Sequence, residues 1–303
     1  MDLSYGLPIA GFVVGLLFGS FLNVCIARVP AGESVVKPGS RCPECRSAIR
    51  WFDNVPLVSW LVLRARCRDC GRGIPWRYPA VELAVGLWFL LVLRGWVQES
   101  GATPAEYIGL FGLLVLGFLL IGLMVMDWRT LRLPDEFTLG GAAIGMFLVC
   151  LQAIFLAPGE DQIVLNTTHQ LRLRSPGSFT SQGNVFLTGP ESLIFGRLAA
   201  VAGAALLLLA VRWGYRALRG REGLGLGDVK LLAMIAAFLG FWPAMVALFA
   251  GVVGASGYGT WLLARGRAHA LTRLPLGSFL AAGGLVAALW GERLVDWYRG
   301  LLG

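Results

Sequence analysis

The chain is poor in charge: only 15% of its 303 residues are Asp, Glu, Lys or Arg, whereas 56% are hydrophobic. A soluble domain carries about a quarter of its residues as charges, so a water-soluble globule is excluded and bilayer rules apply. Histidine is almost absent. Neither His169 nor His269 has metal ligands near it in sequence, and both read as surface residues. No basic segment precedes the first apolar run, which begins within a few residues of Met1 and continues too far for the core of a secretory signal. It reads as a first transmembrane helix.

Long apolar runs are what the chain has instead. A membrane span needs about 20 apolar residues, and that template fits at residues 6–27, 80–98, 107–126, 136–157, 193–212, 229–241, 243–264 and 275–291. The expected fold class is therefore an all-α polytopic bundle of about eight transmembrane helices. The sixth run is short for a span, which suggests a half-buried or tilted helix.

Basic residues choose the orientation. Residues 28–79 hold Arg28, Lys37, Arg41, Arg46, Arg50, Arg64, Arg66, Arg68, Arg72 and Arg77. Further Arg and Lys fall after the third, fifth and seventh runs, and the alternate loops hold mostly Glu99, Glu106, Glu160, Asp161 and Glu191. With eight spans all the basic loops share one side, which the positive-inside rule makes cytoplasmic, with both termini outside. The same rule explains the formal charge of +8 without a nucleic-acid partner; the lipid bilayer is the partner it implies. Residues 158–192, rich in Ser, Thr, Asn, Gln and Gly, break the apolar pattern. They are expected as a periplasmic insert with short strands at IVLN and NVFLTG. The sequon at Asn166 is a chance match.

Four of the six cysteines form two CxxC pairs, Cys42–Cys45 and Cys67–Cys70, within the basic first loop. Paired knuckles of this kind set four thiolates tetrahedrally around zinc, and a reducing cytoplasm leaves them available. Four sulfur ligands fill the coordination shell, so the metal is structural. Cys25 and Cys150 lie in apolar runs and read as small core residues.

Ionisable residues at membrane spans are costly and mark function. Asp127 ends the third run, and Asp228 opens the sixth within Gly225-Leu226-Gly227-Asp228-Val229-Lys230. The topology sets both at the cytoplasmic edge. Two close aspartates share a proton and act as a dyad, one activating water while the other polarises a carbonyl. Helix capping alone would also explain Asp228, but not Asp127, which sits at a helix end where the dipole disfavours it. Asp135, in the first turn after Pro134, is the runner-up for Asp127. Glu82, near the start of the second span, either pairs with an arginine of the first loop or serves a second site. A transporter also uses membrane carboxylates, but the chain shows no clear internal repeat and the acidic pair lies off the midplane.

These residues resemble the bacterial type IV prepilin peptidase family, the bifunctional leader peptidase/N-methyltransferases of type IV pili and type II secretion. The likeness runs through Gly19-Ser-Phe-Leu-Asn-Val24, the segments around the four cysteines, Arg77-Tyr-Pro-Ala-Val-Glu82, Asp127 with Pro134-Asp135, the motif around Asp228, and Leu274-Pro-Leu-Gly-Ser-Phe-Leu280. It covers nearly the whole chain except the insert. The resemblance implies a membrane aspartyl protease of the inner membrane with Asp127 and Asp228 catalytic. The enzyme would remove the basic leader of prepilins or pseudopilins after a glycine, then methylate the new N terminus with S-adenosylmethionine. Four parts are expected: a first helix (1–27), a cytoplasmic zinc loop tied to methyl transfer (28–79), helices two and three (80–126) and the peptidase domain (127–303). Methyl transfer is expected in the first loop, with Glu82 and Asn23 as candidates.

Overall fold

The computed structural model describes residues 3–99, 103–156, 163–165, 171–173, 191–220, 224–266 and 274–301. His169, His269 and the NVFLTG stretch lie outside these residues. The helices, in order, are α1 (Leu3–Arg28), α2 (Val58–Val62), α3 (Arg77–Glu99), α4 (Pro104–Thr130), α5 (Asp135–Leu156), α6 (Glu191–Arg219), α7 (Leu226–Leu239), α8 (Phe241–Ala264) and α9 (Leu276–Leu301). In the insert, β1 (Ile163–Leu165) pairs antiparallel with β2 (Leu171–Leu173). Ile163–Leu165 of the IVLN stretch is a strand; its partner LRL carries too short an alternation to announce itself.

Among the described residues seven helices are long and apolar enough to cross a membrane, and they coincide with seven of the eight apolar runs. The remaining run is α7, with 14 residues. At about 1.5 Å per residue it spans about 21 Å, short of the roughly 30 Å hydrocarbon core. Its length follows from its position. Leu231, Leu232, Met234, Ile235, Ala236 and Ala237 are wholly buried, so α7 sits inside the bundle and needs no lipid-matching length. It begins near the end of α4 that bears Asp127 and ends where Phe238 lies beside Gly112 of α4. Gly240 closes it at φ 90°, a left-handed geometry that glycine tolerates without steric cost.

Small residues join the helices. Gly11, Gly15 and Gly19 recur every fourth residue along α1 and lie against α3. A Cβ on Gly15 would sit 2.8 Å from the Val85 carbonyl oxygen, and one on Gly19 would sit 2.6 Å from the Glu82 Cα. Lipid offers no hydrophobic drive between helices, so close backbone approach of this kind supplies the packing energy. Gly251 and Gly283 do the same between α8 and α9. The α1–α3 pair docks on α4 through Trp88, whose indole lies against Gly117 and donates Nε1–H to the Leu113 carbonyl at 2.9 Å. Leu22 packs where a side chain on Gly122 would stand.

Residues 29–76 form a separate lobe at the basic end of the bundle. Cys42 is its one buried hydrophobic residue. The lobe is an internal duplication that the whole-chain reading passed over. Residues 41–51 (RCPECRSAIRW) reappear as 66–76 (RCRDCGRGIPW), and the hydrogen bonds repeat with the sequence. The Cys42 N–H bonds the Ser47 carbonyl as the Cys67 N–H bonds the Arg72 carbonyl, and the Ile49 N–H bonds Ser40 as the Ile74 N–H bonds Ala65. Arg46 and Gly71 are both left-handed, at φ 59° and 69°.

Candidate active site

α4 is built to end just after Asp127. Thr130 returns its hydroxyl to the Met126 carbonyl at 2.8 Å. Leu131, left-handed at φ 52°, donates its N–H to the Asp127 carbonyl at 2.8 Å. This is an αL C-cap on a residue that pays a steric cost to adopt it. Pro134 then prevents continuation, and α5 starts with Asp135 and Glu136 in its first turn, as the sequence suggests.

The Asp127 side chain is 5% exposed. Its Oδ2 accepts the Ser278 N–H at 2.7 Å and lies 3.0 Å from Ser278 Oγ, itself 2.9 Å from the Met124 carbonyl oxygen. The hydroxyl has a single proton, so it donates to the main chain or to the carboxylate at any moment, not to both. Ser278 stands in the first turn of α9, in the Pro275-Leu276-Gly277-Ser278 segment. Gly277 permits the approach: a Cβ there would lie 3.0 Å from the Asp127 Cγ and Oδ2.

Asp228 enters from the first turn of α7, near enough to Asp127 for the two charges to interact. Its Oδ2 accepts the Gly225 N–H at 3.2 Å, so Asp228 caps its own helix while its Oδ1 remains an acceptor. Leu133 binds the two helix starts together, touching the positions where side chains on Gly227 and Gly277 would project. The glycines before Asp228 thus serve close packing. Trp128, Tyr258 and Phe279 cluster with ring centroids 5.5–6.1 Å apart, two of them next in sequence to Asp127 and Ser278. Neither this aromatic trio nor Ser278 was singled out as a site residue from the sequence, and the hydroxyl three positions after Pro275 was the available signal for Ser278.

Asp135 stands elsewhere. Its Oδ1 is 2.6 Å from Lys230 Nζ in an ion pair, and its side chain is 58% exposed. Glu82 does not pair with an arginine among the described residues. Its Oε2 accepts the Leu57 N–H at 2.9 Å, and Ser20 donates a second hydrogen bond. Leu57 holds φ 59° and ψ −49°, a strained conformation that this anchor helps to fix. Asn23 donates its amide to the Tyr78 carbonyl at 3.0 Å. Glu82 and Asn23 both border a cavity of about 420 Å³ between the basic ends of α1 and α3 and the lobe above them.

In the lobe, the sulfurs of Cys42, Cys45, Cys67 and Cys70 lie within 4.8 Å of one another, Cys42 and Cys70 at 3.9 Å. Tetrahedral zinc with bonds of about 2.3 Å separates its sulfurs by about 3.8 Å, so the group could hold the ion. The Ser47 hydroxyl, 2.9 Å from Cys45 Sγ, and the Ser47 backbone bring that thiol down to about 6, easing the deprotonation that metal binding needs. Arg68 braces the lobe by gripping Asp53 at 2.6 and 2.8 Å, which holds the Asp53 carboxyl below its usual range. Cys25 is buried, as expected of a small core residue. Cys150 is exposed on α5, which corrects its reading as core: in a bundle an apolar run also supplies the face turned away from the other helices.

Residues 13–96 match the Bacterial Peptidase A24 N-terminal domain, covering α1, the lobe and α3. Residues 178–260 match the Type IV leader peptidase family, a stretch that includes Asp228; Asp127 lies between the two matches. Proteins named prepilin leader peptidase/N-methyltransferase are similar along the chain. That of Myxococcus xanthus (strain DK1622) is 38% identical over 261 residues, 85% of this chain and 64% of the relative. That of Aeromonas hydrophila is 31% identical over 98% of this chain and 97% of its own length. That of Klebsiella pneumoniae is 37% identical over 77% and 85%. No solved structure matches. With likeness at this level along nearly its whole length, the chain belongs to the bacterial prepilin leader peptidase/N-methyltransferase family.

Proposed function

We propose that this enzyme works in the bacterial inner membrane with its basic end in the cytoplasm and residues 158–192 on the periplasmic side. There it removes the basic leader of prepilins or pseudopilins after a glycine, using Asp127 and Asp228, and then methylates the new N-terminal amine. The observation that carries the reading is the meeting of two carboxylates from distant helices at the basic end, one of them buried and oriented by Ser278. One aspartate takes a proton from the attacking water while the other, protonated, hydrogen-bonds the scissile carbonyl. Two carboxylates this near cannot easily both ionise, so the pair holds the single proton that the division of labour requires. Ser278 holds Asp127 through its backbone N–H whichever way its hydroxyl points.

The lobe and the helix pair beneath it are assigned to methyl transfer. Zinc on the four cysteines folds the lobe and takes no part in chemistry, because four sulfurs leave no open coordination position. Bound between lobe and helix pair, S-adenosylmethionine would supply the methyl group that the new N-terminal amine takes up. The test is a co-expressed prepilin whose N terminus is read by mass spectrometry. The wild-type enzyme yields a leader-free, singly methylated N terminus, and Asp127→Asn or Asp228→Asn each leaves the leader attached while the protein still inserts and folds.

A further inference from the structure

The cavity beside Glu82 is bordered by Cys42 and Cys67 on its lobe side, and on its helix side it has a charge pattern that neither the dyad nor the metal site uses. Glu82 is 9% exposed and Asn23 8%, on helices otherwise apolar at that depth. Burying such groups is expensive and marks function. The hydrogen bonds from Leu57 and Ser20 orient the Glu82 carboxylate without neutralising it, and no Lys or Arg faces it in an ion pair among the described residues. About five residues earlier on the same helix, Arg77 borders the same cavity. Its guanidinium lies 5.1 Å from the Tyr78 ring and makes no ion pair among the described residues. Along α3 the wall thus presents a carboxyl group and a cation separated by about 7.5 Å, with apolar Leu57, Trp60 and Pro79 between lobe and helix, while Arg41, Arg50, Arg68 and Arg72 line the lobe side. Asn23 spends its amide N–H on Tyr78 and leaves its amide oxygen as an acceptor.

We propose that this cavity is the S-adenosylmethionine site, with Glu82 facing the positively charged end of the donor and Arg77 holding its carboxylate. The inference deepens the methyl-transfer reading above and rests on it. The ligand's chemistry matches the wall: a sulfonium and an ammonium for Glu82, an α-carboxylate for Arg77, and a flat, uncharged adenine for the apolar side. A volume of about 420 Å³ lies in the range of small-molecule sites. The position suits an acceptor coming from the dyad, because Leu22, next to Asn23, packs on α4 at Gly122, little more than one turn from Asp127. Glu82 has a second duty as the anchor of the strained Leu57, so loss of the whole side chain would confuse packing with binding. Glu82→Gln keeps an acceptor for the Leu57 N–H and removes only the charge.

The test is calorimetric binding of S-adenosylmethionine and of S-adenosylhomocysteine, which lacks the methyl group and the sulfonium charge, to the zinc-loaded full-length enzyme in nanodiscs. The wild type is expected to favour the charged ligand by about tenfold, the worth of roughly 1.4 kcal/mol. Glu82→Gln should erase that preference, and Arg77→Ala should weaken both ligands by about tenfold. Zinc content and melting temperature report whether each variant is folded, and Arg77→Lys should restore part of the lost affinity. Wild-type affinity and preference in folded Glu82→Gln and Arg77→Ala would overturn the site. A leader-free but unmethylated prepilin from the wild-type enzyme would instead overturn the methyl-transfer reading itself.

Discussion

At the dyad, Asp127 and Asp228 come from the end of one membrane helix and the start of another, and the segment around Gly277 and Ser278 brings in a third. Asp127 and Ser278 are buried, and Asp228 is half-buried at the mouth of a helix whose later turns are wholly buried. In the lobe, every sulfur comes from one stretch of chain, 42–70, folded as two copies of a single knuckle, and Cys42 is the one hydrophobic residue buried there. A region with so little core gains little stability from burial, and a metal held by its four cysteines would supply folding energy. The contrast teaches that the two reactions depend on different physics. On the proposed assignment, cleavage would depend on helix packing in the membrane, and methyl transfer on a metal-stapled lobe resting on a glycine-lined helix pair.

The largest effects should come from striking each region at its centre. Asp127→Asn or Asp228→Asn removes one partner of the dyad and is expected to lower leader cleavage by at least about 10²–10⁴-fold, measured by the appearance of mature pilin. Zinc content should be unchanged. Cys42→Ser combined with Cys45→Ser should do the reverse, abolishing the single zinc per chain expected from four cysteines and methylation with it while leader removal continues. Loss of both activities together in that variant would erase the comparison.

Ser278→Ala removes a hydroxyl but leaves the backbone N–H on Asp127. Hydrogen bonds to charged groups contribute about 1.5–3 kcal/mol, so kcat for cleavage should fall by about tenfold or somewhat more, with KM little changed. Asp135→Asn breaks the ion pair with Lys230. That pair is partly exposed, and such pairs contribute at most about 1 kcal/mol, so cleavage should change by less than about fivefold. A loss as large as that of Asp127→Asn would move the catalytic role to Asp135.

The smallest effect concerns pH. Arg68 depresses the Asp53 carboxyl in the folded lobe, so the stabilisation is present above the unfolded carboxyl's value of about 3.9 and is lost as pH falls through the lower, folded value. The melting difference between the wild type and Asp53→Asn should therefore be largest near neutrality and vanish in acid. A difference that grows on acidification would reverse the sign.

Much of this was legible in the sequence because the bilayer makes strong demands. Seven spans, the basic end and the cysteine pairs follow from apolar length, arginine placement and CxxC spacing. What stayed hidden needed three dimensions or a shorter ruler. The apolar run of α7 does not say that its helix is internal. The Leu57 anchor for Glu82 depends on a left-handed residue with no glycine to mark it. Ser278 reaches Asp127 across a sequence separation of 151 residues, and a hydroxyl three positions after Pro275 does not by itself say which carboxylate it meets. The lobe's duplication was readable, but only by comparing segments of about ten residues.

The most direct test of the account is the intact N terminus of a prepilin co-expressed with the wild type, Asp127→Asn and Asp228→Asn, read by mass spectrometry. The account predicts a leader-free, methylated product from the wild type and an uncleaved prepilin from each folded variant. A leader-free product from either variant would contradict it.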